Sequence, residues 1–262
     1  MKFAVATALL AGSALAAPSS RARFAQRLER RALARGSQPK IPSAGLAALS
    51  TNETQVEYSS NWAGAVISKT TATWTAVTGT FTVPTPKAPS GSSTAYASAW
   101  VGIDGDTCGN AILQTGVDFN VESGAVSYDA WYEWYPDYAY DFSGISFSAG
   151  DSVTTTVTAT SKTGGTAVIK NNSKGTSVTH TFSGQPSLCE YDAEWIVEDF
   201  ESNGGLVPFA NFGTVTFTGA SATSSSGSTG PSGATIIDIE QSNKVLTSCS
   251  ASSSSVTCSY TS

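Results

Sequence analysis

The chain has 262 residues, 14 of them basic and 20 acidic, with a formal net charge of −6, four cysteines and a single histidine. That histidine, His180, lies in the plainly alternating run Ser177-Val178-Thr179-His180-Thr181-Phe182 and would be charged in acid solution. Ser-His and Cys-His catalysis and the usual catalytic zinc sites are therefore excluded, and chemistry must come from carboxylates, amides, hydroxyls or backbone.

In chain order, Met1 to Ala17 carries one positive charge at Lys2, an apolar run from Phe3 to Leu10 and the small-residue exit Ala14-Leu15-Ala16. These features predict a secretory signal peptide over 1–17 and a secreted, extracellular product. No segment approaches the roughly 18 uninterrupted apolar residues of a membrane span, so no membrane partner is expected.

Pro18 to about Ser50 holds Arg21, Arg23, Arg27, Arg30, Arg31, Arg35 and Lys40 against Glu29 alone. From Asn52 onward six lysines face nineteen acids, with no arginine. A basic stretch could serve a nucleic acid, but in an exported chain it reads as a propeptide held on an acidic body by opposite charge. The expected division is 1–17 signal, 18–53 propeptide acting as intramolecular inhibitor, and 54–262 one catalytic domain. Acid would protonate the carboxylates, weaken that attraction and favour maturation.

The body is rich in Ser, Thr, Gly, Val and aromatics, and almost lacks helical periodicity. Strands are expected over 63–68, 75–83, 95–104, 111–120, 125–135, 152–160, 166–170, 177–182, 193–199, 214–218 and 235–239, punctuated by Gly, Pro, Asn and Ser. So many strands without crossover helices imply antiparallel sheets, here an all-β two-sheet sandwich. The tract from Ser221 to Gly233 reads as a surface loop. Asn52 and Asn171 each open an N-glycosylation pattern.

Four cysteines in an exported chain most simply form two disulfides, and three pairings are open. Cys108 with Cys189 and Cys249 with Cys258 is preferred. The second pair closes a short hairpin-like loop, and the first encloses about 80 residues, where loop entropy suggests roughly 4 kcal/mol. No metal or other cofactor is expected.

The period of a strand places Asp129, Trp131, Glu133 and Tyr135 on one face and Tyr128, Ala130, Tyr132 and Trp134 on the other. By the same rule Glu194 and Glu198 oppose Trp195 and Val197, Gln114 shares a face with Gly116 and Asp118, and Trp100 with Gly102 and Asp104. Several strands thus offer acids, one amide and aromatics to a common surface. Clustered carboxylates raise one another's pKa, so some stay protonated in mild acid. A sugar-binding module or a sandwich glycosidase using two of Asp129, Glu133, Glu194 and Glu198 would draw on the same surface.

Ser60 to Ala65, Trp100 to Asp106, Ile112-Leu113-Gln114-Thr115-Gly116, Asp129 to Pro136, Glu194 to Phe200 and Val207 to Ala210 together resemble the motifs of the fungal glutamic endopeptidases, or eqolisins, in family order. The resemblance implies a concanavalin-like sandwich with the cleft on one sheet face and assigns catalysis to Gln114 and Glu198. It also implies that Trp62, Trp100, Asp104, Asp118, Asp129, Trp131, Glu133 and Tyr135 line or support the cleft, that substrates are polypeptides, and that pepstatin is without effect. The preferred cysteine pairing matches the family too. One departure is the cysteine-free stretch Glu201 to Leu206, where some relatives carry a further disulfide. A monomer is expected.

Overall fold

The computed structural model describes residues 35–43 and 56–262. The signal peptide and the Asn52 pattern lie outside the described residues. The first strands are β1 (Val56–Ser59), β2 (Trp62–Ser68), β3 (Trp74–Thr82), β4 (Thr94–Ile103), β5 (Ile112–Glu122), β6 (Ala125–Tyr135) and β7 (Tyr140–Asp141). Next come β8 (Ser152–Ser161), β9 (Gly164–Asn171), β10 (Thr176–Phe182), β11 (Asp192–Glu198), β12 (Glu201–Ser202) and β13 (Gly205–Leu206). The last are β14 (Thr214–Ser224), β15 (Gly227–Thr229), β16 (Thr235–Gln241), β17 (Lys244–Val245), β18 (Thr247–Ala251) and β19 (Ser255–Tyr260).

Two sheets result. One runs β1-β16-β2-β11-β4-β5-β6-β7 with β17 beside β16, and the other runs β10-β9-β8-β3-β14-β19-β18 with β15 beside β14. All pairs are antiparallel apart from β1 with β16. The expected strands form with ends moved by at most two residues, apart from the region after Thr218. There the Ser221–Gly233 expectation is corrected: β14 continues to Ser224 and turns back as β15. Small apolar residues carry the alternation unobtrusively, with Ala220 and Ala222 buried. The hairpin-like loop expected between Cys249 and Cys258 is the β18–β19 hairpin, whose strands were not among those expected because Ser and Thr dominate them.

The main core lies between the sheets. From the first sheet it takes alternate residues such as Ala97, Ala99, Val101, Leu113, Val117, Ala130, Trp195 and Val197, and from the second Val77, Phe81, Val157, Ile169 and Phe217. Each large apolar side chain removed from water contributes roughly 1.5–3 kcal/mol. Both predicted disulfides form, Cys108–Cys189 and Cys249–Cys258, the latter between directly opposed residues of the β18–β19 hairpin.

An ordinary sandwich face would leave the outer side of β4, β5 and β11 to water, yet β11 is buried at every position. A second, smaller apolar cluster covers that outer face, made by Trp62, Val66, Trp100, Ile112, Trp131, Ile196 and Ile237. Gly116 makes room for it. A Cβ there would come within 2.5 Å of both the Ala99 carbonyl oxygen and the Trp100 Cβ, so the Trp100 side chain depends on a glycine opposite it.

Candidate active site

Strand register builds the site. Across β11, β4, β5 and β6, one row on the outer face is Glu194, Gly102, Gln114, Glu133; the next is Ile196, Trp100, Gly116, Trp131; the third is Glu198, Ser98, Asp118, Asp129. Trp62 on β2 stands opposite Glu198. The faces read from the sequence pattern are those of the folded sheet, because a two-residue period cannot change face without a bulge.

Between the second and third rows, Trp62 and Trp100 meet edge to face at 5.0 Å between ring centres. The Trp100 indole donates to Glu198 Oε2 at 2.9 Å, and the Trp131 indole donates to Ser98 Oγ at 3.0 Å. Glu198 is fully buried, and burial pushes its pKa to about 8, with the neighbouring Glu133 carboxylate adding to the rise. Asp118 is raised by burial too, against the lowering effect of Arg35. Gln114 is fully buried, and neither its Oε1 nor its Nε2 has a hydrogen-bond partner among the described residues.

Residues 35–43 lie directly across these rows. Arg35 makes a two-pronged contact with Asp118, Nε to Oδ2 at 2.7 Å and Nη2 to Oδ1 at 2.6 Å, and its guanidinium carbon stands 3.9 Å over the Trp131 ring. Gly36 exchanges two backbone hydrogen bonds with Glu201. The next two backbone nitrogens donate to successive carboxylates, Ser37 N to Glu133 Oε2 and Gln38 N to Glu198 Oε1, each at 3.1 Å. The Gln38 carbonyl accepts from the Trp62 indole at 3.0 Å. Lys40 then pairs with Asp106 and Glu57. Neighbouring nitrogens of one peptide reach both Glu133 and Glu198, so these carboxylates converge although their Cα atoms sit rows apart; Gln114 is the direct strand partner of Glu133.

Beyond Arg35 the cleft opens into a cavity of about 450 Å³, bounded by Asp118, Asp129, Asp141 and Glu122 on one side and by Phe200 and Leu206 on the other. The cysteine-free stretch Glu201 to Leu206 forms its rim. It is the β12–β13 hairpin, turned by Asn203 and Gly204, both at positive φ as an Asn-Gly hairpin turn requires.

Of the remaining cleft candidates, Asp129 holds Asn120 Nδ2 at 2.8 Å near the cavity, and Tyr135 is half-buried against the second apolar cluster. Asp104 is a clamp, not a wall: its carboxylate accepts the backbone N–H groups of Glu190, Tyr191 and Asp192, fixing the approach to β11. It lies close to Cys108 and Cys189, but both sulfurs are committed to the disulfide. Asn171 is buried, with its Nδ2 donating to Ser146 O and Asp151 Oδ2. Pattern alone missed the role of Asn61, whose Oδ1 accepts from Ile41 N at 2.9 Å, and of Gln241, which donates to Asp199 at 2.7 Å.

Burial also raises Asp199 to about 8, and Asp104 and Asp238 to about 6. These folded-state values lie above those of an unfolded chain, near 4. The fold therefore holds more protons than the unfolded chain between about pH 4 and 8, and loses stability as pH rises through that window. Each such proton costs about 1.4 kcal/mol per pH unit. Urea midpoints are expected to fall between pH 4 and pH 7; a midpoint that rises contradicts this balance.

The sequence profile of the Peptidase A4 family matches residues 60–260. The chain is 54% identical to aspergillopepsin-2 of Aspergillus niger, covering 99% of this chain and all of that one, and 43% identical to scytalidopepsin B of Scytalidium lignicola with the same coverage. Among solved structures, scytalido-glutamic peptidase with a transition state analog inhibitor aligns at a TM-score of 0.71, with 45% identity over 77% of this chain and 98% of the other. Aspergilloglutamic peptidase from Aspergillus niger aligns at 0.62, with 63% identity over 64% of this chain and 99% of the other.

Proposed function

Because the chain belongs to the Peptidase A4 family and is a glutamic endopeptidase, we propose that Glu198 and Gln114 form its hydrolytic dyad. Glu198 as carboxylate takes a proton from the water that attacks the scissile carbonyl, then returns it to the departing amine. Gln114 donates to the oxyanion of the tetrahedral intermediate. An amide suits acid solution because its N–H groups persist and carry no charge that protonation could alter. Family membership removes the sugar-binding and glycosidase readings.

The observation that carries this proposal is the peptide already lying over the site, with consecutive backbone nitrogens on Glu133 and Glu198. The same segment supports an inhibitory propeptide. Beneath it Glu198 is buried, and burial pushes its pKa up to about 8, which disfavours the carboxylate that a base requires. Displacing the segment admits water, relieves that desolvation and restores the carboxylate. On this reading the protein is exported, held inactive by 18–53 and matured in acid, since protonating Asp118 and Asp106 releases Arg35 and Lys40. In keeping with export, no helix among the described residues is long and apolar enough to cross a membrane.

The test acidifies the purified proprotein and assays an unfolded protein and a β-glucan near pH 3, with and without pepstatin. Protein cleavage, an intact glucan and indifference to pepstatin are expected, with Gln114→Ala lowering kcat by about a hundredfold or more. Full activity of Gln114→Ala would sink the dyad.

A further inference from the structure

Glu194 has no part in the chemistry above, yet it is fully buried beside it. Both of its carboxyl oxygens, like both polar atoms of Gln114, lack a hydrogen-bond partner among the described residues. Four unpaired polar atoms in one buried patch are costly, on the order of 1–3 kcal/mol per group, and call for a reason. The two side chains share a row, Glu194 on β11 and Gln114 on β5, and the residue between them on β4 is Gly102. With no Cβ in the way, Glu194 Oε1 lies 2.8 Å and the Gln114 Cβ 3.4 Å from the point where a Gly102 Cβ would stand, under the edge of the Trp100 ring. Any side chain at 102 would separate them.

We propose that Glu194 is a positioning residue for the Gln114 amide: its carboxyl group, passing over Gly102, engages the amide Oε1 through one buried water and so turns Nε2 toward the cleft. An amide can otherwise flip end for end, presenting a carbonyl that would repel the oxyanion. The protonated acid donates to that water, which donates in turn to Oε1, and it places no negative charge beside the oxyanion. Burial, reinforced by the charges of Asp192, Asp104 and Asp106, raises the Glu194 pKa well above the ordinary carboxylate range and keeps that proton in place. The inference rests on the Gln114 role proposed above.

Glu194→Met and Glu194→Gln, made in the full-length proprotein and acid-activated, separate positioning from packing. Methionine fills the space without a donor. If the carboxyl were mere structure, removing an unpaired buried acid would stabilise the fold and leave kcat alone. Positioning predicts that Glu194→Met raises or keeps the melting temperature but lowers kcat about tenfold or more with KM within about threefold, whereas Glu194→Gln, which retains an N–H donor, recovers most of the loss. In Gln114→Ala background, Glu194→Met should cost little further, since the group it orients is gone. The inference is overturned if Glu194→Met keeps kcat within about twofold, or if the Met and Gln variants lose activity equally. Should Gln114→Ala itself prove active, the dyad fails; should only Gln114→Ala be inactive, the dyad stands and the positioning role fails.

Discussion

Glu198→Gln is expected to lower kcat by about 10³–10⁴-fold with KM changed by no more than a few-fold, the loss appropriate to a general base that later acts as acid. An amide at 198 keeps the shape and can still accept the Trp100 indole N–H that now reaches Oε2, although in the proprotein its NH2 group then meets the Gln38 N–H that now reaches Oε1. It can neither take a proton from water nor return one. Misfolding is separable from chemistry because the sign of the stability change is opposite. The wild-type carboxyl, with its pKa raised to about 8 by burial, must be kept protonated or pay for ionisation in a dry site. A neutral amide has no such requirement, so the stability of the variant proprotein relative to the wild type should rise in urea between pH 4 and pH 7. Single-turnover hydrolysis above about a hundredth of the wild-type rate would falsify the assignment.

The second large effect concerns Arg35. Its guanidinium is held by both oxygens of Asp118, by Ser98 Oγ at 3.2 Å, and between the Trp131 and Phe200 rings, with the side chain only 17% exposed. Truncating one partner of a desolvated charge pair typically costs about 2–5 kcal/mol, because the other charge is left buried and alone. A synthetic peptide covering 35–43 should therefore inhibit the processed enzyme at least about thirtyfold more weakly when it carries Arg35→Gln. Lysine is not equivalent, since it cannot grip both oxygens while lying flat between two rings.

The pH dependence has a definite sign. Asp118 is raised by burial and lowered by Arg35, so the pair is intact above the Asp118 pKa and is lost as pH falls through it. Asp106, likewise raised by burial, does the same for Lys40. The advantage of the native peptide should thus shrink as pH falls through the Asp118 pKa. Equal inhibition constants for the two peptides at neutral pH would remove Arg35 from the account.

Much of the candidate site's face is legible in the sequence. The alternation in Asp129 to Tyr135 and in Glu194 to Phe200 assigns side chains to faces, and the faces persist because the strand period is two. The cysteine-free stretch after Glu198 was legible as a departure, though not as a hairpin rim. What could not be read was the partner of each residue. That Gln114 faces Glu133, and that Gly102 separates it from Glu194, depends on which strands pair and in what register. Asp104 shows the same limit: its face was correct, but its task, gripping three backbone N–H groups ahead of β11, arises from a contact 86 to 88 residues away.

The sequence by itself determined the class of the sandwich, the family, the absence of histidine chemistry and the opposition of a basic segment to an acidic body, since composition, motif order and local periodicity are properties of the chain. Tertiary structure alone decided that Glu198 is buried with its pKa pushed up, that Arg35 pairs with Asp118, and that Glu194, next to Gln114, has no hydrogen-bond partner among the described residues. Burial, and with it each pKa and each partner, is set by what the folded chain lays over a residue, and here that cover comes from strands and from a segment up to 160 residues distant.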